Sequence, residues 1–527
     1  VNVSSGATLL VNQATGSTLG STLINCGTVN FGQAGTLTST GAMSGSGVVV
    51  QSGAGTTTLT GAQTYTGITN VSTGAIVFTN NATPTTTNFT GAGTVTIQPN
   101  GSAFTSPFTT GIYTYANTLT GLTIGNATST SNTNIAVNTA MAIAGPISLY
   151  GGNITLNAGL TTTNPTSGNV TLTGNVSGSS AIALAAGQTL TITQTGSSTY
   201  SGVVSGNGAS LVSNGSGTLT LSGTQTYNGS TNITAGTLVV TGALSSSTVV
   251  NVSSGASYNV SATNTIGSFT GAGTINLGSG YTLTAFGDNS SQTFSGVMAG
   301  AGNLAKAGTG TLTLTGANTY TGATNITAGS LVVGNGTTSG ALGVGNITVS
   351  NANLSFNYSS GNYTFGNSSS TAYLSLNNAN VSVLGGNVTL AGYSAATGTS
   401  SSDVIAVNIT FSAATVITTG AGNLTINAPI NLNSYALNVT SGSGNVSLNG
   451  VVSGTGSLIQ NTTGTTLLSG ANTYTGSTNI TSGTLQVGNG TAGSLASTGT
   501  VNVSSGAILL LNEATGSTFG NAVNSTG

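Results

Sequence analysis

Charge is nearly missing from this sequence. Of 527 residues, only Lys306, Asp288, Asp403 and Glu513 carry an acidic or basic side chain, and His, Arg and Trp are absent. A typical soluble domain is about 25% charged; here the figure is 1% and the formal net charge is −2. One lysine cannot neutralise a row of phosphates, so nucleic acid is excluded as a partner. A polybasic membrane-binding patch is excluded for the same reason. No run of about eighteen apolar residues is present, so no spanning helix is expected and no membrane insertion in this segment. Cys26 stands alone and cannot close an internal disulfide; it is expected to be a small buried hydrophobe, with an intermolecular bridge as the alternative. The sequence does not open on Met or a signal peptide, and the numbering is expected to start inside a longer precursor.

The same scarcity argues against catalysis. Paired carboxylates that cleave glycosides sit roughly 5–9.5 Å apart. Asp288 and Asp403 are some five coils apart in the architecture argued below, on the order of 25 Å. No His serves as a base and no serine has a triad partner. No calcium-binding nonapeptide and no His/Cys/Asp constellation is found, so neither metal nor cofactor is expected. Asp288-Asn-Ser reads as a turn. The expectation is a non-enzymatic protein.

What is abundant is Gly, with 83 residues, together with Thr, Ser and Asn set between Val, Ile and Leu. These are poor helix formers, and no 3.6-residue period is visible. The β-branched alternation also disfavours a disordered stalk. The pattern is clearest in Gly310-Thr-Leu-Thr-Leu-Thr-Gly-Ala-Asn-Thr-Tyr320-Thr-Gly-Ala-Thr-Asn-Ile-Thr-Ala-Gly-Ser-Leu-Val-Val333. Thr311 to Thr315 alternate with period 2, as a strand with one buried face does, and Gly316, Gly322 and Gly329 mark corners. The unit occurs four times. Its tyrosine recurs as Tyr65, Tyr227, Tyr320 and Tyr474; a glycine follows two residues later at Gly67, Gly229, Gly322 and Gly476. An asparagine follows at five (Asn70, Asn232, Asn325, Asn479) and a second glycine at nine (Gly74, Gly236, Gly329, Gly483). Fixed offsets of this kind mean one structural unit copied. The fold expected is all-β, a β-solenoid with roughly 20–25 residues per coil.

These segments resemble the autotransporter-associated β-strand repeat, also called the passenger-associated transport repeat, of secreted Gram-negative passenger domains. The resemblance covers four segments of roughly 25–30 residues. It implies a right-handed parallel β-helix displayed outside the cell, secreted or at the bacterial surface.

A longer period overlies the short one. Residues 1–27 return at 501–527 with 17 of 27 positions identical, and Val250-Asn-Val-Ser-Ser-Gly-Ala256 lies between them. One continuous solenoid over 1–527 is expected, a fragment of a longer array. Its super-repeats run over approximately 1–249 and 250–500, with 501–527 starting the next. Asparagines such as Asn325 are candidates for hydrogen-bonded ladders between coils, the alternative being Asx-turns. The densest aromatic stretch, Asn353 to Tyr358 and on to Phe365, reads as core packing.

Exposed sheet edges are normally protected by charge, and this surface lacks it. The expected function is therefore an extracellular structural protein whose rods associate with copies of themselves into a filament, fibre or sheath. An adhesin stalk that meets host or neighbouring-cell surfaces is the alternative. An ice-binding solenoid with Thr rows such as Thr189, Thr191 and Thr193 is the third reading. With so few titratable groups, stability is expected to depend little on pH or salt.

Overall fold

A computed structural model describes residues 1–79, 85, 88–128, 133–336, 340–365, 374–377, 380–390, 394–397, 402–406, 409–411, 414–418, 422–440 and 442–526; side chains are described except at 358–404, 406, 410 and 418. Every regular element among these residues is a β-strand. None of them forms a helix long and apolar enough to cross a membrane. The chain divides into two compact units, Val1–Ala262 and Thr263–Gly527.

Within Val1–Ala262 the strands are short because glycine or asparagine turns the chain every few residues, and each strand pairs in parallel with one about a coil later. Ile76 pairs with Val95, 19 positions on, and Val95 with Leu122, 27 on. The coil is thus more variable than the sequence alone suggests. Alternation decides which side faces in. In Thr218–Leu221, Leu219 and Leu221 are buried while Thr218 and Thr220 are half-exposed. Stacked coils turn these inward residues into columns: Ile76, Val95, Leu122, Ile147, Val170, Leu190 and Leu211 follow one another strand by strand. All seven are buried. Each such side chain contributes about 1.5–3 kcal/mol on burial, and only a neighbouring coil can bury it. Where the coils lengthen, rings fill the extra width: Phe108 stacks on Tyr113 at 5.7 Å and Phe89 on Tyr115 at 5.8 Å.

Thr263–Gly527 repeats the plan. Thr311–Leu314 pairs in parallel with Gly329–Val333, which pairs in turn with Ala352–Phe365. Leu312, Leu331 and Leu354 form one buried column. Phe356 is buried, as expected of a core aromatic. The side chains of Tyr358, Tyr363 and Phe365 lie outside the described residues.

Cys26 corrects the sequence reading, for it is exposed. The preceding strand, Leu23–Asn25, places Leu23 and Asn25 inward. Asn25 is held there as its Nδ2 donates to the Val48 carbonyl and its Oδ1 accepts from the Gly27 N–H. Strict alternation then turns the next residue, Cys26, outward.

Candidate functional site

The four tyrosine units are the most ordered feature of the sequence, and the structure gives each of their residues a separate task. The ring of the tyrosine lies inside the solenoid: Tyr65, Tyr227 and Tyr320 are fully buried and Tyr474 nearly so. A buried phenol needs a partner. It finds the threonine four residues on: Tyr65–Thr69 at 2.7 Å, and Tyr227–Thr231, Tyr320–Thr324 and Tyr474–Thr478 each at 2.6 Å. Burial pushes these phenols up, only partly opposed by the threonine hydroxyl, and Tyr320 and Tyr474 reach about 12. Sequence reading passed over these threonines, although Thr stands at that offset in all four copies. Thr is so common here that one more drew no attention.

The second glycine of each unit meets a conformational and a spatial constraint together, the first a spatial one alone. Gly74, Gly236, Gly329 and Gly483 have φ between +64° and +67°, the left-handed region that other residues enter at a cost. At Gly67, Gly229, Gly322 and Gly476 the constraint is space. A Cβ there would run into the backbone carbonyl of the coil before: Gly47, Ala209, Gly302 and Gly456 respectively.

The asparagines are half-exposed and their partners vary. Asn325 sits between Ala305 and Thr348 and forms no asparagine ladder. Asn479 begins one: Asn502 Nδ2 donates to Asn479 Oδ1 at 2.7 Å, and Asn524 Nδ2 to Asn502 Oδ1 at 3.1 Å. Another ladder, outside the four units, joins Asn134, Asn153 and Asn175. Asn232 instead donates to Ser230 Oγ, and Asn70 accepts from Ser72 Oγ, both local contacts.

Two further positions belong to the unit and escaped the sequence reading. Two residues before each tyrosine stands a buried amide: Gln63, Gln225, Asn318 or Asn472. Asn318 Oδ1 accepts from the Met298 N–H of the coil before at 2.7 Å, and its Nδ2 donates to Ala341 of the coil after at 2.6 Å. Asn472 repeats this with Val452 and Ser494. One side chain thus ties three coils. Because the residue is Gln in two copies and Asn in two, no identity marked it.

The second position is a buried polar residue fourteen before the tyrosine: Gln51, Ser213, Lys306 or Gln460. In three copies it bonds the carbonyls of a corner, whereas the Ser213 hydroxyl is buried without a hydrogen-bond partner among the described residues. Gln51 Nε2 donates to Gly53 and Gly55. Lys306 does the same work with an ammonium, donating from Nζ to Ala307 and Gly308 at 2.9 Å and Ala328 at 3.1 Å. The Phe286 ring lies 5.6 Å from Nζ, within cation–π range. Burial lowers Lys306 to about 8, partly offset by the charge of Asp288. Asp288 is held by the Ser268 hydroxyl of the preceding coil and by the Ser290 N–H and hydroxyl. Burial alone would raise its carboxyl, yet these hydrogen bonds outweigh it and the net direction is down. Asp288 is therefore more than the plain turn residue expected. The side chain of Asp403 lies outside the described residues. Among the described residues no three His, Cys, Asp or Glu side chains gather as a metal site would need.

The first unit is also turned by one face of the solenoid relative to the second. Thr69–Val71 pairs with Val48–Gln51 and Asn88–Gly91. Thr231–Ile233 instead lies in the ladder that runs back, strand by strand, to Ala75–Thr79, the strand after Thr69–Val71. The unit is thus a self-contained corner that works on more than one face, with its tyrosine, its threonine and its amide pointing into the core.

The class defined by this geometry is a parallel β-solenoid repeat protein. Four segments, residues 49–78, 211–240, 304–333 and 458–487, match the Passenger-associated-transport-repeat family model. They contain all four tyrosine units, the buried amides and the polar corner residues. The chain therefore carries four passenger-associated transport repeats, and repeat and fold together fit a passenger-type repeat protein. No curated protein and no solved structure matches the chain.

Proposed function

We propose that this chain is a structural component displayed outside the bacterial cell, secreted or held at the surface, whose solenoids associate with copies of themselves. One observation carries this reading: the segment Val1–Ala262 contains no charged side chain at all. Natural sheet proteins discourage association with charged edges and faces, and a mixed-charge surface keeps a domain soluble and apart. Here that protection is missing over half the chain. Of the four charges in the remainder, Lys306 is buried against carbonyls and Asp288 is bound by two serines. The repeat residues support a structural rather than catalytic role, since their buried polar groups close the unit's own corner, as Tyr320 does with Thr324, or tie it to neighbouring coils, as Asn318 and Asn472 do.

Negative-stain electron microscopy of the full chain at rising concentration tests the reading. Ordered fibres or sheets are expected. Separate particles at every concentration would contradict it and favour a stalk that presents another domain.

A further inference from the structure

We propose that one face of Val1–Ala262 is the surface through which two copies meet, front to front; this rests on the self-association reading above. The face is built from the strands containing Thr18, Thr38, Thr58, Val77, Thr96, Thr123, Ser148, Thr171, Thr191, Val212, Asn232 and Asn251. Each of these pairs in register with the next, without a break, over twelve strands. All twelve are half-exposed or exposed, and from Thr38 onward each is flanked by buried residues. From Thr18 to Thr191, eight of the nine are hydroxyl-bearing, and the ninth is Val77.

Length singles this face out. The outward row through Thr109, Ala136, Thr155, Ser177, Thr199, Thr220, Val239 and Asn259 has eight strands in register. The sheet whose outward row runs through Leu10, Asn30, Val50, Asn70 and Thr90 has six, ending at Thr114–Tyr115. Twelve strands about 4.8 Å apart, each offering about four residues of ~3.3 Å, present roughly 750 Å². Two copies meeting there cover about 1,500 Å², the range of a stable interface. Small β-branched side chains repeating at the strand spacing on both copies allow the interdigitation of a steric zipper. No charge is present in this half of the chain to be desolvated or to repel its counterpart. A second copy therefore fits this face.

The test uses the full chain and three sets of variants. Thr58→Lys, Thr96→Lys and Thr171→Lys together place like charges on the face, and the matching triple to Glu places the opposite sign. Thr155→Lys, Thr199→Lys and Asn259→Lys together do the same on the shorter row. The expected result is a rise of at least tenfold in the concentration needed for association of either face triple. The shorter-row triple should associate like the parent, and an equal mixture of the Lys and Glu face triples should associate again. Recovery in the mixture also shows that both variants fold. Association of both face triples at the parent's concentration overturns the choice of face and leaves self-association standing. A parent that stays monomeric overturns both, and thermal hysteresis in that monomer would assign the face to ice instead.

Discussion

The hydroxyl of Tyr320 lies 2.6 Å from that of Thr324, both buried, in a contact that recurs in all four repeats. The tyrosine reaches forward across its own corner to the first residue of the next strand, so the pair fixes where the corner closes. Removing the phenol oxygen in Tyr320→Phe leaves Thr324 short of a partner and should cost about 1–2 kcal/mol. Tyr320→Ala, which also empties ring volume, should cost about 3–5 kcal/mol. Hydrogen exchange at Thr324–Ile326 should rise in both variants, while the Tyr65 copy, in the other unit, stays unchanged.

Asn318 joins three coils through one amide, so its loss is felt on both sides. Asn318→Ala strands the Met298 N–H and the Ala341 carbonyl and should destabilise by roughly 2–3 kcal/mol. Asn318→Gln, the residue type present at Gln225, should recover much of that. Denaturant titration of the two variants checks the order.

Glycine substitutions separate space from conformation. Gly6 has φ +79° with nothing within 4 Å of an added Cβ. Gly6→Ala should therefore cost only the backbone strain, about 1–2 kcal/mol. Gly322→Ala drives a Cβ into the Gly302 backbone and should cost more, since neighbouring coils cannot part without losing their ladder. Equal melting temperatures for the two would show that the coils are not so closely stacked.

Lys306 gives the otherwise uncharged core one response to pH. Its folded value of about 8 lies below the ordinary lysine value of 10.5. Between those values the unfolded chain binds more protons, so stability should rise as pH climbs from about 8 toward 10. Beyond pH 10 the buried tyrosines, whose folded values are raised to about 12 for Tyr320 and Tyr474, should reverse the trend. Lys306→Gln installs the residue found at Gln51 and Gln460, and should fold while flattening the rise between pH 8 and 10. Chemical denaturation at stepped pH reads both effects. A rise that survives in Lys306→Gln would place its origin elsewhere.

Much of this was legible in the sequence, for identifiable reasons. The fold followed from alternation such as Thr311 to Thr315, because a period of 2 with glycine corners leaves few other solutions. The tyrosine, glycine and asparagine offsets were visible because these residue types are uncommon enough, or regular enough, to stand out. Thr324 was hidden by the abundance of threonine, and Asn318 and Lys306 by chemistry shared with Gln rather than identity. Cys26 was misplaced because its neighbour Asn25, a polar residue, takes the inward position through hydrogen bonds that composition does not reveal. The turning of the first repeat by one face shows only once strands are paired, because the ladders of Thr69–Val71 and Thr231–Ile233 differ while their sequences do not reveal it.

The central claim is that absence of charge leaves these solenoids free to associate. Sedimentation velocity of the full chain, over a wide range of protein concentration at both low and high salt, tests it most directly. Larger species should grow with concentration and stay nearly unchanged between the two salt conditions, because few charges remain to be screened. A single monomeric boundary throughout, or association that high salt abolishes, would contradict it.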